Sequence, residues 1–166
     1  VDTVDRLHNH AKLLHCDLKP DNVRWRHGVV RLIDFGHARP IGSAKCVRGT
    51  EGLKGPEILN GKNCSTKTDA FAVGKTIMVM LQELDDKTRP KRSQFCCLKE
   101  VASKLTLADP QSRWCLKQAL EKIQTIVVPG NNSFSPIKIL TKLAANPVTA
   151  SPPRMPRSHF QAQKQT

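Results

Sequence analysis

Two acidic clusters joined by a hairpin signal restrict what this chain can fold into more than any other feature. The run His15-Cys16-Asp17-Leu18-Lys19-Pro20-Asp21-Asn22 leads into Val23, Trp25, Val29, Val30, Leu32 and Ile33 around His27-Gly28, and then into Asp34-Phe35-Gly36. Apolar residues flanking a glycine turn predict strand, turn and strand. A hairpin returns the chain to the end where it began, so Asn22 and Asp34 are expected side by side. Moving a phosphoryl group from a nucleoside triphosphate needs a group that accepts the incoming hydroxyl's proton, and oxygen ligands that hold magnesium on the phosphates. Asp17 is of the right type for the first task and Asn22 and Asp34 for the second, while Lys19 can neutralise charge on the phosphate in flight.

These residues resemble the protein-kinase signature set, whose catalytic loop His-Arg-Asp-Leu-x-x-x-Asn precedes Asp-Phe-Gly and Ala-Pro-Glu. Gly49-Thr50 before Gly55-Pro56-Glu57 looks like the end of an activation segment. Asp69-Ala70-Phe71-Ala72-Val73-Gly74 looks like the start of the family's central buried helix, and Asp109-Pro110 with Arg113 like its late motif. An isolated match of this kind occurs by chance. Five in register and in the family's order do not.

The resemblance implies a mainly α (α+β) protein-kinase-like C-terminal lobe with a small β-hairpin at the cleft, covering residues 1–127. It implies Asp17 and Lys19 as catalytic residues, Lys19, Asn22 and Asp34 toward ATP, and Asn22 and Asp34 toward Mg2+. Thr50 would position substrate, and Lys19 and Thr50 together favour serine or threonine of a protein substrate as acceptor. His15, Phe35, Glu57, Asp69 and Arg113 would be structural supports, with Arg113 bridging to Glu57. Two departures stand out. Cys16 occupies the usual arginine position, and a thiol cannot receive a phosphorylated activation segment, so activity is expected not to depend on phosphorylation of Ser43 or Thr50. Arg24 occupies the floor beneath the adenine, where a charged side chain would turn to solvent or weaken nucleotide binding.

Along the remaining chain, Val4, Leu7, Ala11 and Leu14 have helical spacing and predict a helix from about Val1 to Leu14. His8, His10 and His15 lack the acidic or cysteine partners of a metal site. Asp34 to Glu57 is glycine-rich and reads as a loop. Asp69 to Leu84 is apolar nearly all round and predicts a buried helix capped by Thr68 or Asp69, with Gly74 inside it explained by close packing. Two further helices are expected, through Val101, Leu105 and Leu107 and through Leu116, Leu120, Ile123 and Val127, with Trp114 in the core. Lys87 to Arg92 is a short basic loop. Residues 128–166 carry prolines and basic residues without an acidic one, a composition that predicts a disordered basic tail.

The formal charge of +13 favours acidic partners, reached through the basic loop or tail. Only 4% of residues are aromatic and none is tyrosine, which argues against a single-stranded nucleic-acid binder. Six cysteines without Cys-x-x-Cys spacing, no secretory signal and no apolar run of membrane-spanning length predict an intracellular protein with reduced thiols. The sequence has no glycine-rich phosphate loop or strand lysine before Asp17, so the expectation is a fragment whose N-lobe acts in cis. The rival expectation is a catalytically inactive kinase-like binding protein without that lobe.

Overall fold

The computed structural model describes residues 1–27, 29–43, 49–84 and 92–125. It is mainly helical, with two small two-stranded sheets. Helix α1 (Asp2–Arg6) passes into a π-helical turn at Leu7–Ala11, and strand β1 (Leu13–Leu14) follows. The expected single helix to Leu14 is therefore wrong in its second half. Lys12 adopts a left-handed conformation (φ 55°) that ends the helix, and Leu14 is then buried as part of a strand. The wider π turn carries His8 inward, a displacement that such turns commonly make at functional positions.

Strand β2 (Val23–Arg26) pairs antiparallel with β3 (Val29–Leu32), as the alternation predicts, with Val23 opposite Leu32 and Arg24 opposite Arg31. Strand β1 pairs with β4 (Arg39–Pro40). That pairing and the bond from Ile41 N–H to the Lys12 carbonyl at 2.9 Å clamp the segment after Asp34-Phe35-Gly36 beside the one before Asp17.

Helix α2 (Pro56–Leu59) is one turn, with proline at its first position where no N–H is needed. Helix α3 (Thr66–Gln82) is the centre of the fold. Its cap is Ser65, not Thr68 or Asp69: Ser65 Oγ accepts from Lys67 N–H, and Thr68 Oγ1 accepts from Ser65 N–H at 3.1 Å. Thr68 thus shares in the capping box, and both it and Asp69 are buried. Residues Thr68 to Gly74 are all buried, whereas Ile77 to Met80 are half-buried.

Helices α4 (Arg92–Leu105) and α5 (Leu116–Gln124) complete the core. Cys97, Val101 and Leu105 recur every four residues on α4, and Leu116, Ala119 and Ile123 form the stripe of α5; they pack with Val4, Leu18, Ala70, Ala72 and Val73, with Trp114 against the cluster. Leu107 does not extend α4, which ends at Leu105. A methyl at Gly74 would stand 2.8 Å from Leu105 Cβ and Thr106 Cγ2, so the glycine lets α3 and α4 approach. Of the basic loop only Arg92 is described, as the first residue of α4; Val127 and the tail 128–166 lie outside the described residues.

Candidate functional site

Asp69 is the anchor. Its Oδ2 accepts the backbone N–H of His15 at 2.7 Å, and its Oδ1 accepts that of Cys16 at 3.0 Å. His8 Nε2 lies 2.9 Å from Oδ2, and because a carboxylate only accepts, that nitrogen carries the proton. Three donors on one buried carboxylate hold the loop in place from the central helix. They also offset the left-handed conformation of Cys16 (φ 64°), which is costly for a residue with a side chain. His15 is fully buried, approaches the Ile33 carbonyl through Nε2 at 3.2 Å, and packs its ring on Phe35 with centroids 4.9 Å apart. The two sequence motifs thus meet through His15.

Asp17 follows at once and points into a cluster of donors. Thr50 gives Oδ1 both its N–H, at 2.9 Å, and its hydroxyl, at 2.8 Å. Lys19 Nζ lies 3.1 Å from Oδ2 and also donates to Thr50 Oγ1 at 3.3 Å. Burial alone would raise the carboxyl's pKa, but the Thr50 hydroxyl, Lys19 and the Thr50 N–H outweigh it and hold Asp17 below the usual aspartate value. Gly49 enables this geometry. Its φ is +133°, and a Cβ there would meet the Cys16 carbonyl oxygen at 2.9 Å.

Asn22 is buried and donates through Nδ2 to the Asp17 carbonyl at 2.9 Å, which leaves its side-chain oxygen for another partner. Ile33 N–H donates to the Asn22 carbonyl at 3.0 Å, so Asp34 lies one residue beyond a residue bonded to Asn22. Asp34 is exposed and left-handed (φ 60°), with Oδ1 3.3 Å from Gly36 N. An amide oxygen and a carboxylate are both hard oxygen donors, of the kind a magnesium ion takes.

Arg113 and Glu57 form the second support, as the sequence anticipates. Nη1 and Nη2 of Arg113 bind the two Glu57 oxygens at 2.7 and 2.9 Å. The remaining donors go to the carbonyls of Lys67, Leu107 and Ala108, so all five guanidinium N–H groups are used. The guanidinium also lies 4.8 Å from the Phe71 ring centroid. Burial would raise the Glu57 carboxyl, but the Arg113 hydrogen bonds lead the opposing causes and bring it below the usual glutamate value.

A model of the protein kinase domain matches residues 1–94, more than half of the 166. The chain belongs to the protein kinase domain family. It is 36% identical over 80 residues to serine/threonine-protein kinase dkf-2 of Caenorhabditis briggsae, covering 44% of this chain and 7% of that protein. It is 35% identical over 108 residues to rhodopsin kinase grk7-b of Xenopus laevis, covering 62% and 19%. Against human serine/threonine-protein kinase D3 the figures are 40% over 76 residues, 42% and 8%. The chain therefore spans under a fifth of the length of each of these kinases.

Two residues of this kinase-family chain escaped the sequence reading. His8 looked like one of three scattered histidines, yet it completes the Asp69 anchor; its signal was a position seven residues before His15. His37, three residues beyond Asp34, brings Nδ1 to 3.9 Å from Asp17 Oδ2, and no pattern marked it. Arg24 is exposed on the hairpin. Among the described residues no group of three or more His, Cys, Asp or Glu could hold a metal ion, and no helix is long and apolar enough to cross a membrane.

Proposed function

We propose that residues 1–127 form the C-terminal lobe of a serine/threonine protein kinase, followed by the basic segment 128–166, and that with an N-lobe supplied in cis it transfers the γ-phosphoryl group of ATP to protein hydroxyls. The observation that carries this reading is the single cluster of Asp17, Lys19 and Thr50 on one carboxylate. In the reaction the acceptor oxygen bonds to the γ-phosphorus, the bond from that phosphorus to the β,γ-bridging oxygen breaks with ADP leaving, and the hydroxyl proton passes to Asp17. Lys19 neutralises charge on the transferring group. Its hydrogen bond to Thr50 fixes both side chains before substrate arrives. Asn22 and Asp34 would hold Mg2+, which when bound offsets negative charge on the phosphates.

Thr50 and Lys19 support a serine or threonine acceptor, because the hydroxyl of Thr50 links base and lysine in the space a substrate side chain would approach. The test is transfer of radiolabelled phosphate from ATP to serine-, threonine- and tyrosine-bearing peptides by the polypeptide with its N-lobe. Label on serine or threonine peptides that is lost in Asp17→Asn supports the proposal; tyrosine-only labelling, or turnover retained in Asp17→Asn, refutes it. The exposed guanidinium of Arg24 on the hairpin favours a second reading, an inactive kinase-like binding protein. Absence of turnover in the complete polypeptide would decide for that alternative.

A further inference from the structure

A cavity adjoins the cluster around Asp17. Its lining includes Asp17, Thr50, Leu53, Lys54, Ile58 and Ala72, so aliphatic carbon meets the carboxylate taken above as the base. Lys54 is the cation among the described residues of that lining. It is half-buried, and Gly49 makes room for it. A Cβ on that glycine would lie 2.9 Å from the Cys16 carbonyl oxygen and 3.4 Å from Lys54 Cε. The lysine stem therefore runs past the residue that precedes Asp17. Both carboxylates of the lining are held by other donors: Asp17 by Thr50 and Lys19, Asp69 by His8, His15 and Cys16. Among the described residues no ion pair includes Lys54.

We propose that Lys54 selects substrates that carry an aspartate or glutamate within two positions of the acceptor serine or threonine. An acceptor hydroxyl placed at Asp17 holds its peptide beside this cavity. Along an extended peptide the next residue lies about 3.3 Å away and the one after it about 6.6 Å. A flanking side chain thus reaches the cavity while the hydroxyl stays on the base. Its methylene carbons meet Leu53 and Ile58, and its carboxylate accepts a charge-assisted hydrogen bond from the Lys54 ammonium.

Selectivity comes from repulsion as much as attraction. A lysine or arginine in the same place would face the Lys54 ammonium, and an alanine would leave that ammonium to water. The ionised Asp17 would repel an incoming carboxylate, but Lys19 Nζ, 3.1 Å from its Oδ2, offsets that charge. Lys54 has no such neutralising partner in the lining, so the field it presents to a substrate is positive. The inference rests on the phosphoryl-transfer reading and names the substrate class of that site.

The experiment compares three fluorescent serine peptides whose two residues on each side of the serine are all aspartate, all alanine or all lysine. Phosphate transfer from ATP by the polypeptide with its N-lobe gives kcat/KM, and anisotropy gives binding of the same peptides. The aspartate peptide should exceed the alanine peptide by about fivefold in both, with the lysine peptide lowest. Lys54→Met keeps the aliphatic stem and should bring the aspartate and alanine peptides within about twofold of each other. Lys54→Glu should reverse the order in favour of the lysine peptide, which loss of a merely structural lysine would not do. Lys117→Glu, a charge reversal at an exposed position on α5, should keep the parent order. Equal kcat/KM for the three peptides, or an aspartate preference retained in Lys54→Met, would overturn the proposal while leaving phosphoryl transfer intact. If no peptide is phosphorylated, the transfer reading fails and anisotropy decides for Lys54: an aspartate preference lost in Lys54→Met supports its selectivity, and equal binding overturns it.

Discussion

Replacing Arg113 by methionine removes a side chain whose five N–H groups are all bonded. Arg113 is 1% exposed and Glu57 6%, so the substitution leaves a carboxylate without its cation inside the protein, together with the carbonyls of Lys67, Leu107 and Ala108. Breaking a buried pair from one side costs about 3–5 kcal/mol, and each carbonyl that finds no new partner adds about 1–3 kcal/mol. Against a total of about 5–15 kcal/mol for a domain, the variant should be largely unfolded or close to it. Glu57→Gln/Arg113→Met removes both charges, and its loss should be smaller than the sum of the two single losses by about 1–3 kcal/mol. Urea unfolding at neutral pH, followed by far-ultraviolet circular dichroism, measures all four proteins. A loss below about 1 kcal/mol for Arg113→Met, or strict additivity in the cycle, would show that the pair is solvated and uncoupled and would refute the reasoning.

Three further outcomes follow from the same geometry. Asp17 and Glu57 both titrate below their usual values when folded, so the stability they contribute is present above about pH 4.3 and is lost as pH falls through the lowered folded values; Glu57→Gln should flatten the acid limb of a stability–pH curve, and an unchanged limb would contradict the assignment. Gly74→Ala gains about 1 kcal/mol of helix propensity but drives a methyl against Leu105, Thr106 and the Ala102 carbonyl, a clash worth about 1–3 kcal/mol; the denaturation midpoint should drop, and a rise would mean that α3 and α4 are not in that contact. Asp69→Asn turns an amide N–H2 toward the N–H groups of His15 or Cys16 and should cost about 1–3 kcal/mol, with faster hydrogen exchange at His15 and Cys16 while amides in α5 stay protected.

The extent to which this fold was legible follows from where each signal resides. A motif residue whose partner is itself a motif residue could be paired by the resemblance: Arg113 with Glu57, which the two hydrogen bonds between them show. Interruptions of regular structure could not. The spacing of Val4, Leu7, Ala11 and Leu14 is as good for a helix as any in the chain, yet the π turn at Leu7–Ala11 and the left-handed Lys12 end it. The turn places His8 where its ring nitrogen lies 2.9 Å from the buried Asp69 carboxylate, 61 residues away, a contact that local spacing does not announce. The N-cap of α3 shows the same logic in reverse. Thr68 and Asp69 are both competent caps, and sequence alone favours either. Tertiary structure uses Thr68 both to bond Glu57 at 3.2 Å and to complete the capping box, and Asp69 to hold the His15 and Cys16 backbone, with Ser65 as the cap. A polar residue at a helix start is thus ambiguous until its long-range partner is known, and in this chain those long-range partners are the ones that build the site.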